Sequence, residues 1–174
     1  LNIAEMLFAY AGLTILIFGT LGNLLNLILF VGLESLNTLA SSLFLLTSFV
    51  SSEGVLITGL LTRVIRGFSG VDPVNASVTL CKIRWMIRTI ANAVSLTCIC
   101  LAAFDRYLLS CHDVRRHRWI TMKRARWIIF ISILFWSSIF SSYAVYYTAP
   151  KPYSCAIADP SFAYFASIFN LLHY

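Results

Sequence analysis

Asp105-Arg106-Tyr107 closes an apolar segment that opens at Cys81, 25 residues before Arg106. At a rise of ~1.5 Å per residue, a helix over that stretch is roughly 37 Å long, enough to cross a bilayer. Cys81 and Arg106 are therefore expected at opposite membrane faces. A charge at the membrane edge is costly unless paired or hydrated, and the adjacent Asp105 and Arg106 can partly neutralise each other. Between these ends, Arg88, Asn92 and Ser95 recur at i, i+4 and i+7 and so share one helical face. In lipid such a face turns to the bundle interior, where a guanidinium can hold a carboxylate through two parallel hydrogen bonds. The plainer alternative is an Arg88 that snorkels to the outer interface or pairs with another helix. Glu53 lies in a second apolar segment, where it needs a partner or a proton. Asn23, Ser52 and Ser95 are expected to form a polar interior cluster with it.

These groups can bind and pair, but they make no catalytic set. His112 and His117 sit beside Asp113 in a basic stretch and read as part of a solvated loop. The sequence has no glycine-rich phosphate cradle, no nucleophile elbow and no Cys-x-x-Cys zinc pattern. No enzymatic activity, metal or cofactor is expected.

The elements that must carry these residues are membrane helices. Of 174 residues, 59% are hydrophobic and 11% charged, against about 25% charged in soluble domains. Spans are expected at 6–31, 39–61, 80–109 and 125–147, and the run 161–174 opens a fifth that stops short. The apolar runs are continuous, whereas membrane strands alternate with period two, so the fold class is an all-α membrane protein. Arg63 to Thr79 reads as a polar loop, and three prolines in 149–160 end the fourth helix. The chain is expected to be a piece of a longer protein, cut at both ends.

Charge placement sets the topology. Arg115, Arg116, Arg118, Lys123, Arg124 and Arg126 flank the third and fourth spans and mark that side as cytoplasmic. Arg63, Arg66, Lys82, Arg84 and Arg88 oppose this from the outer half. The sequon Asn75-Ala76-Ser77 favours the same orientation, because a glycosylated loop faces the lumen. The net charge of +6 is thus a membrane-flanking pattern and not a nucleic-acid footprint; the basic loop suits anionic lipid headgroups. Of the five cysteines, Cys81 and Cys155 share the outer face, where oxidising surroundings permit pairing. Cys98 and Cys100 read as packing residues within a helix, and Cys111 as a reduced thiol or a palmitoylation site.

Taken in order, Gly22-Asn23, Cys81, Asp105-Arg106-Tyr107, Trp136 and Cys155 resemble the motif series of rhodopsin-like G-protein-coupled receptors, most of all their divergent invertebrate, rotifer-type branch. The resemblance covers four helices and the start of a fifth in a seven-helix bundle. It implies a multi-pass protein of the plasma membrane that passes an extracellular ligand's signal to a heterotrimeric G protein. It also implies that Asp105 and Arg106 hold the resting state and that Arg106 moves to meet the G protein. Cys81 and Cys155 would form the bridge that pins the second outer loop to the third helix. Arg88 falls at a depth where the family's third helix lines the ligand pocket; amine receptors carry an aspartate there, so the opposite charge implies an acidic ligand, possible among neuropeptides. Two departures stand out. The family's second-helix aspartate is replaced by Ser51, Ser52 and the offset Glu53, which puts sodium binding near Asn23 and Ser95 in doubt. No proline follows Trp136 in the fourth helix.

Two other classes fit an apolar chain. A four-helix scaffold of the tetraspanin sort resembles a protein with a cysteine-rich outer loop, and none is present. A transporter or channel fragment is expected to show broken helices with paired midplane charges, and only Glu53 hints at that.

Overall fold

Within a bilayer, backbone N–H and C=O groups must be satisfied inside each segment, so long apolar runs have to close their own hydrogen-bond ladders. The computed structural model describes residues 3–32, 39–70, 77–110, 120–148, 156–157 and 159–173, and they are almost entirely helical. The elements are α1 (Ile3–Gly32), α2 (Ala40–Val55), a π-helical turn (Leu56–Leu61), α3 (Thr62–Ser69), α4 (Val78–Ser110), α5 (Met122–Tyr146), β1 (Tyr147–Thr148), β2 (Ala156–Ile157) and α6 (Pro160–His173). Among the described residues four stretches are long and apolar enough to span a membrane: Met6–Gly32, Ala40–Ser69, Val78–Ser110 and Met122–Ser142. The fold is an all-α membrane bundle; the β structure among the described residues is a two-residue antiparallel ladder, Tyr147 opposite Ile157 and Thr148 opposite Ala156.

The many serines and threonines in these helices are tolerated because most return their hydroxyl to the preceding turn. Thr14, Thr47, Thr97 and Ser132 each donate to the carbonyl four residues back, at 2.8–2.9 Å. The hydroxyls that instead reach another helix define the polar interior described below.

Small residues set the packing. On α4 the buried residues Ser95, Cys98, Ala102, Asp105 and Leu108 recur every three or four positions, with Val94 beside the first. The small ones let α2 and α5 approach closely, as membrane helices require when lipid supplies no hydrophobic drive. Ala40, Phe44, Ala125 and Ile129 complete this inner core. A second core at the other end gathers Cys81, Ala93, Phe140 and Ala166, with Ile157 and Phe162 against it. Cys98 is fully buried as expected, but Cys100 is exposed, because two residues along a helix turn the side chain by roughly 200°.

The second span differs from its expected end at Leu61. The chain stays helical through Arg63 and Arg66 to Ser69, and Gly70, at φ 68°, stops it by donating its N–H to the Arg66 carbonyl. The π turn makes this continuation distinctive. It widens the backbone ladder, and its Thr58 and Gly59 carbonyls accept from the Thr62 hydroxyl and also from an arginine of α4.

Candidate functional site

The inner end of α4 carries Asp105, Arg106 and Tyr107 in distinct environments. Asp105 continues the buried stripe and is 5% exposed. Arg106 is turned about 100° from it on the helix and is exposed, as is Tyr107. The two neighbouring charges therefore face different surroundings: the carboxylate looks into the bundle, while the guanidinium and phenol look out of it.

At mid-depth Asn23, Ser52, Glu53 and Ser95, expected as one cluster, fall into two adjoining groups. Glu53 faces α1, where Thr20 Oγ1 donates to one carboxylate oxygen at 2.9 Å and Asn23 Nδ2 to the other at 3.1 Å. Ser52, one residue earlier, faces α4. Its Oγ lies 2.9 Å from Ser95 Oγ, and Ser48 Oγ is also 2.9 Å away. Ser95 further donates to the Ser48 carbonyl at 3.3 Å. Asn23 and Ser95 thus serve different networks, separated by the rotation between Ser52 and Glu53. Among the described residues no group of His, Cys, Asp or Glu is placed to hold a metal ion.

Towards the outer half, α4 grips the π turn. Arg84 Nε donates to the Thr58 carbonyl at 2.7 Å, and its Nη2 lies 3.4 Å from the Gly59 carbonyl. One turn further along, the Arg88 guanidinium lies over the Trp85 ring, 5.2 Å from its centroid, within cation–π range. Gly59 makes room for it: a Cβ there would stand 3.3 Å from Arg88 Nε. Asn92 is half-buried on the same helix face. Arg84 is thus more than a membrane-flanking charge. Replacing it with methionine is expected to leave these carbonyls only the longer contacts from the Thr62 hydroxyl, 3.2 Å to each, and to cost about 1–3 kcal/mol through loss of the charge-assisted bonds. Lysine should recover only part of the loss, since it lacks the planar fork. Thermal unfolding of both variants in detergent measures this.

Trp136 links α5 to α4. Its Nε1 donates to Thr97 Oγ1 at 3.0 Å while the same hydroxyl donates to the Ala93 carbonyl. Its ring stacks on Phe140 at 5.7 Å and 16°. Gly22 has open space where a Cβ would stand, so steric need does not explain a glycine there.

At the N-terminal end of α4 Cys81 is fully buried. Cys155, the sequon at Asn75 and the basic loop 111–118 lie outside the described residues. Thr20, Ser48, Arg84 and Thr97 did not stand out in the sequence. The first, second and fourth look like ordinary helix hydroxyls, and Arg84 like a flanking charge.

This fold and polar interior define a multi-pass helical membrane protein. No protein-family profile matches the chain. It is 28% identical over 127 residues to the "Neuromedin U receptor homolog nmur-2" of Caenorhabditis elegans, a match that covers 73% of this chain and 30% of that receptor. The matched part is thus less than a third of the relative's length.

Proposed function

We propose that the chain is the first part of a rhodopsin-like G-protein-coupled receptor of the divergent invertebrate type, answering to a neuropeptide or another acidic ligand. The observation that carries this reading is the division at the end of α4, with Asp105 buried and Arg106 and Tyr107 exposed beside it. A scaffold has no need of an arginine and a tyrosine presented there. The similarity to a receptor named for a neuropeptide points the same way. In this reading a ligand outside binds one arrangement of the helices more tightly and shifts the population towards it. The inner end then opens around Arg106 to a heterotrimeric G protein, and the protein is placed in the plasma membrane.

Cys81 is proposed to pair with Cys155. Ile157, two residues past Cys155 in sequence, packs against the core that contains Cys81, which supports that pairing. Arg88 and Asn92 are proposed as ligand contacts, with the Arg88 guanidinium meeting an acidic group of the peptide.

The test is nucleotide exchange on purified heterotrimeric G protein by the full-length protein in nanodiscs, stimulated by a neuropeptide panel that begins with neuromedin U. Stimulated exchange is the expected result; exchange that no peptide raises counts against the reading. For the activating peptide, Arg88→Asp is expected to raise the half-maximal concentration at least ~10-fold, since reversing one member of a desolvated charge pair costs about 2–5 kcal/mol. An unchanged concentration–response curve removes Arg88 from the ligand site.

A further inference from the structure

The first turns of α5 present two unlike faces. Ala125 and Ile129 are buried in the core with Ala40 and Phe44 of α2 and Ala102 of α4. Trp127, between them in sequence, is turned about 200° from either one and is 65% exposed. Lys123, Arg126 and Phe130 stand within about 100° of it on the helix, and all three are exposed. These four side chains line an open groove of about 400 Å³. It lies on the face turned away from α2 and α4, which are the helices that α5 packs against.

The groove is polar at one end and apolar at the other. Lys123 and Arg126 stand at the edge of the Met122–Ser142 span, and among the described residues no carboxylate pairs with either. Trp127 and Phe130 follow one turn deeper, their rings edge to face at 6.0 Å and 84°. From Lys123 to Phe130 the helix rises roughly 10 Å, comparable to the depth from headgroup to upper acyl chain. A preference for basic and aromatic residues at the membrane surface accounts for each residue singly; the wall they share makes a site of them. Two cations also make this a poor seat for a further apolar helix, because charges inside a bundle need partners.

We propose that the groove binds an anionic phospholipid, its headgroup on Lys123 and Arg126 and an acyl chain along Trp127 and Phe130. Charge selects the lipid, since the wall holds two cations and no acid, and phosphate and carboxylate oxygens take charge-assisted bonds from both. Lysine and arginine can lay their stems on apolar surface while the charged ends reach the headgroups. The basic residues that point to a cytoplasmic end would also put the groove in the leaflet that carries phosphatidylserine. The site requires only α5 at a bilayer surface and does not depend on whether the protein signals.

The test is photolabelling of the full-length protein in phosphatidylcholine vesicles by a phosphatidylserine with a diazirine in one acyl chain, compared with the phosphatidylcholine of the same design. The phosphatidylserine is expected to label peptides that contain Trp127 or Phe130 at least ~10-fold more strongly, as two basic residues at about 1 kcal/mol each imply. Lys123→Gln and Arg126→Gln should each lower that labelling about 5-fold, and the double variant should bring it to the phosphatidylcholine level. Arg126→Lys keeps the charge and should retain most of the label, which guards against a folding defect at that position. Arg124→Gln removes the same charge from the same turn but outside the groove wall, and labelling should persist. Equal labelling by the two lipids overturns the proposal. So does a loss with Arg124→Gln as large as with Arg126→Gln, the mark of a diffuse surface charge. Absence of label from these peptides also overturns it, the outcome if another part of the protein covers the groove.

Discussion

Replacing Arg106 with alanine is expected to reduce peptide-stimulated nucleotide exchange at least ~10-fold, because removal of one side of a charge-assisted contact costs about 2–5 kcal/mol. The amount of folded protein should not change. Arg106 is exposed and carries none of the core, and exposed substitutions of that kind usually shift stability within about 0.5 kcal/mol. Asp105 offers the contrast. It is buried in the stripe formed by Ala102 and Leu108, so Asp105→Ala changes packing at the inner end and should alter stability and basal exchange together. The comparison separates the two proposed roles, contact with a partner at Arg106 and packing of the bundle at Asp105. Exchange by Arg106→Ala equal to that of the unaltered protein removes the inner end of α4 from coupling.

The second large effect is expected at the outer end. With Cys81 bridged as proposed, Cys81→Ser should lower stability by roughly 2–4 kcal/mol, the usual consequence of losing a native disulfide, seen as a fall in unfolding temperature and in the yield of folded protein. The loss extends beyond the bond, because Cys81 sits in the core with Ala93, Phe140 and Ala166. If Cys155 is the partner, Cys155→Ser and the double variant should match Cys81→Ser, since two residues that share one interaction do not add. Additive losses contradict the pairing.

The parts of this protein that were legible in its sequence are those governed by one-dimensional rules. A run of apolar residues longer than the bilayer core has to be a helix, so the spans around Asn23, Ser48, Ser95 and Trp136 could be placed from length alone. The register of α4 was legible in part: the stripe of Arg88, Asn92 and Ser95 runs into the buried Ser95, whereas the burial of Asp105, expected at the membrane edge, was not foreseen. What was hidden depends on the rotation of one helix against another. Ser52 and Glu53 are neighbours in sequence, yet one bonds to α4 and the other to α1, and no local pattern says which. Thr20 and Thr97 reach partners on other helices, while Thr47, of the same type, only returns its hydroxyl to its own backbone. The π turn at Leu56–Leu61 holds no proline, and its single Gly59 does not by itself mark it. Its trace is indirect: two arginines one turn apart on α4, opposite Gly59. For the same reason the second span extends to Ser69, beyond the point where Arg63 suggested a loop.

The most direct test of the account places a photoreactive amino acid at Tyr107, which is 62% exposed beside Arg106. The full-length protein, in membranes with heterotrimeric G protein, is irradiated after nucleotide depletion and again after addition of a non-hydrolysable GTP analogue. Capture of the Gα subunit that disappears with the nucleotide is the result expected of a receptor. No Gα adduct in either condition, or an adduct indifferent to nucleotide, contradicts the central claim.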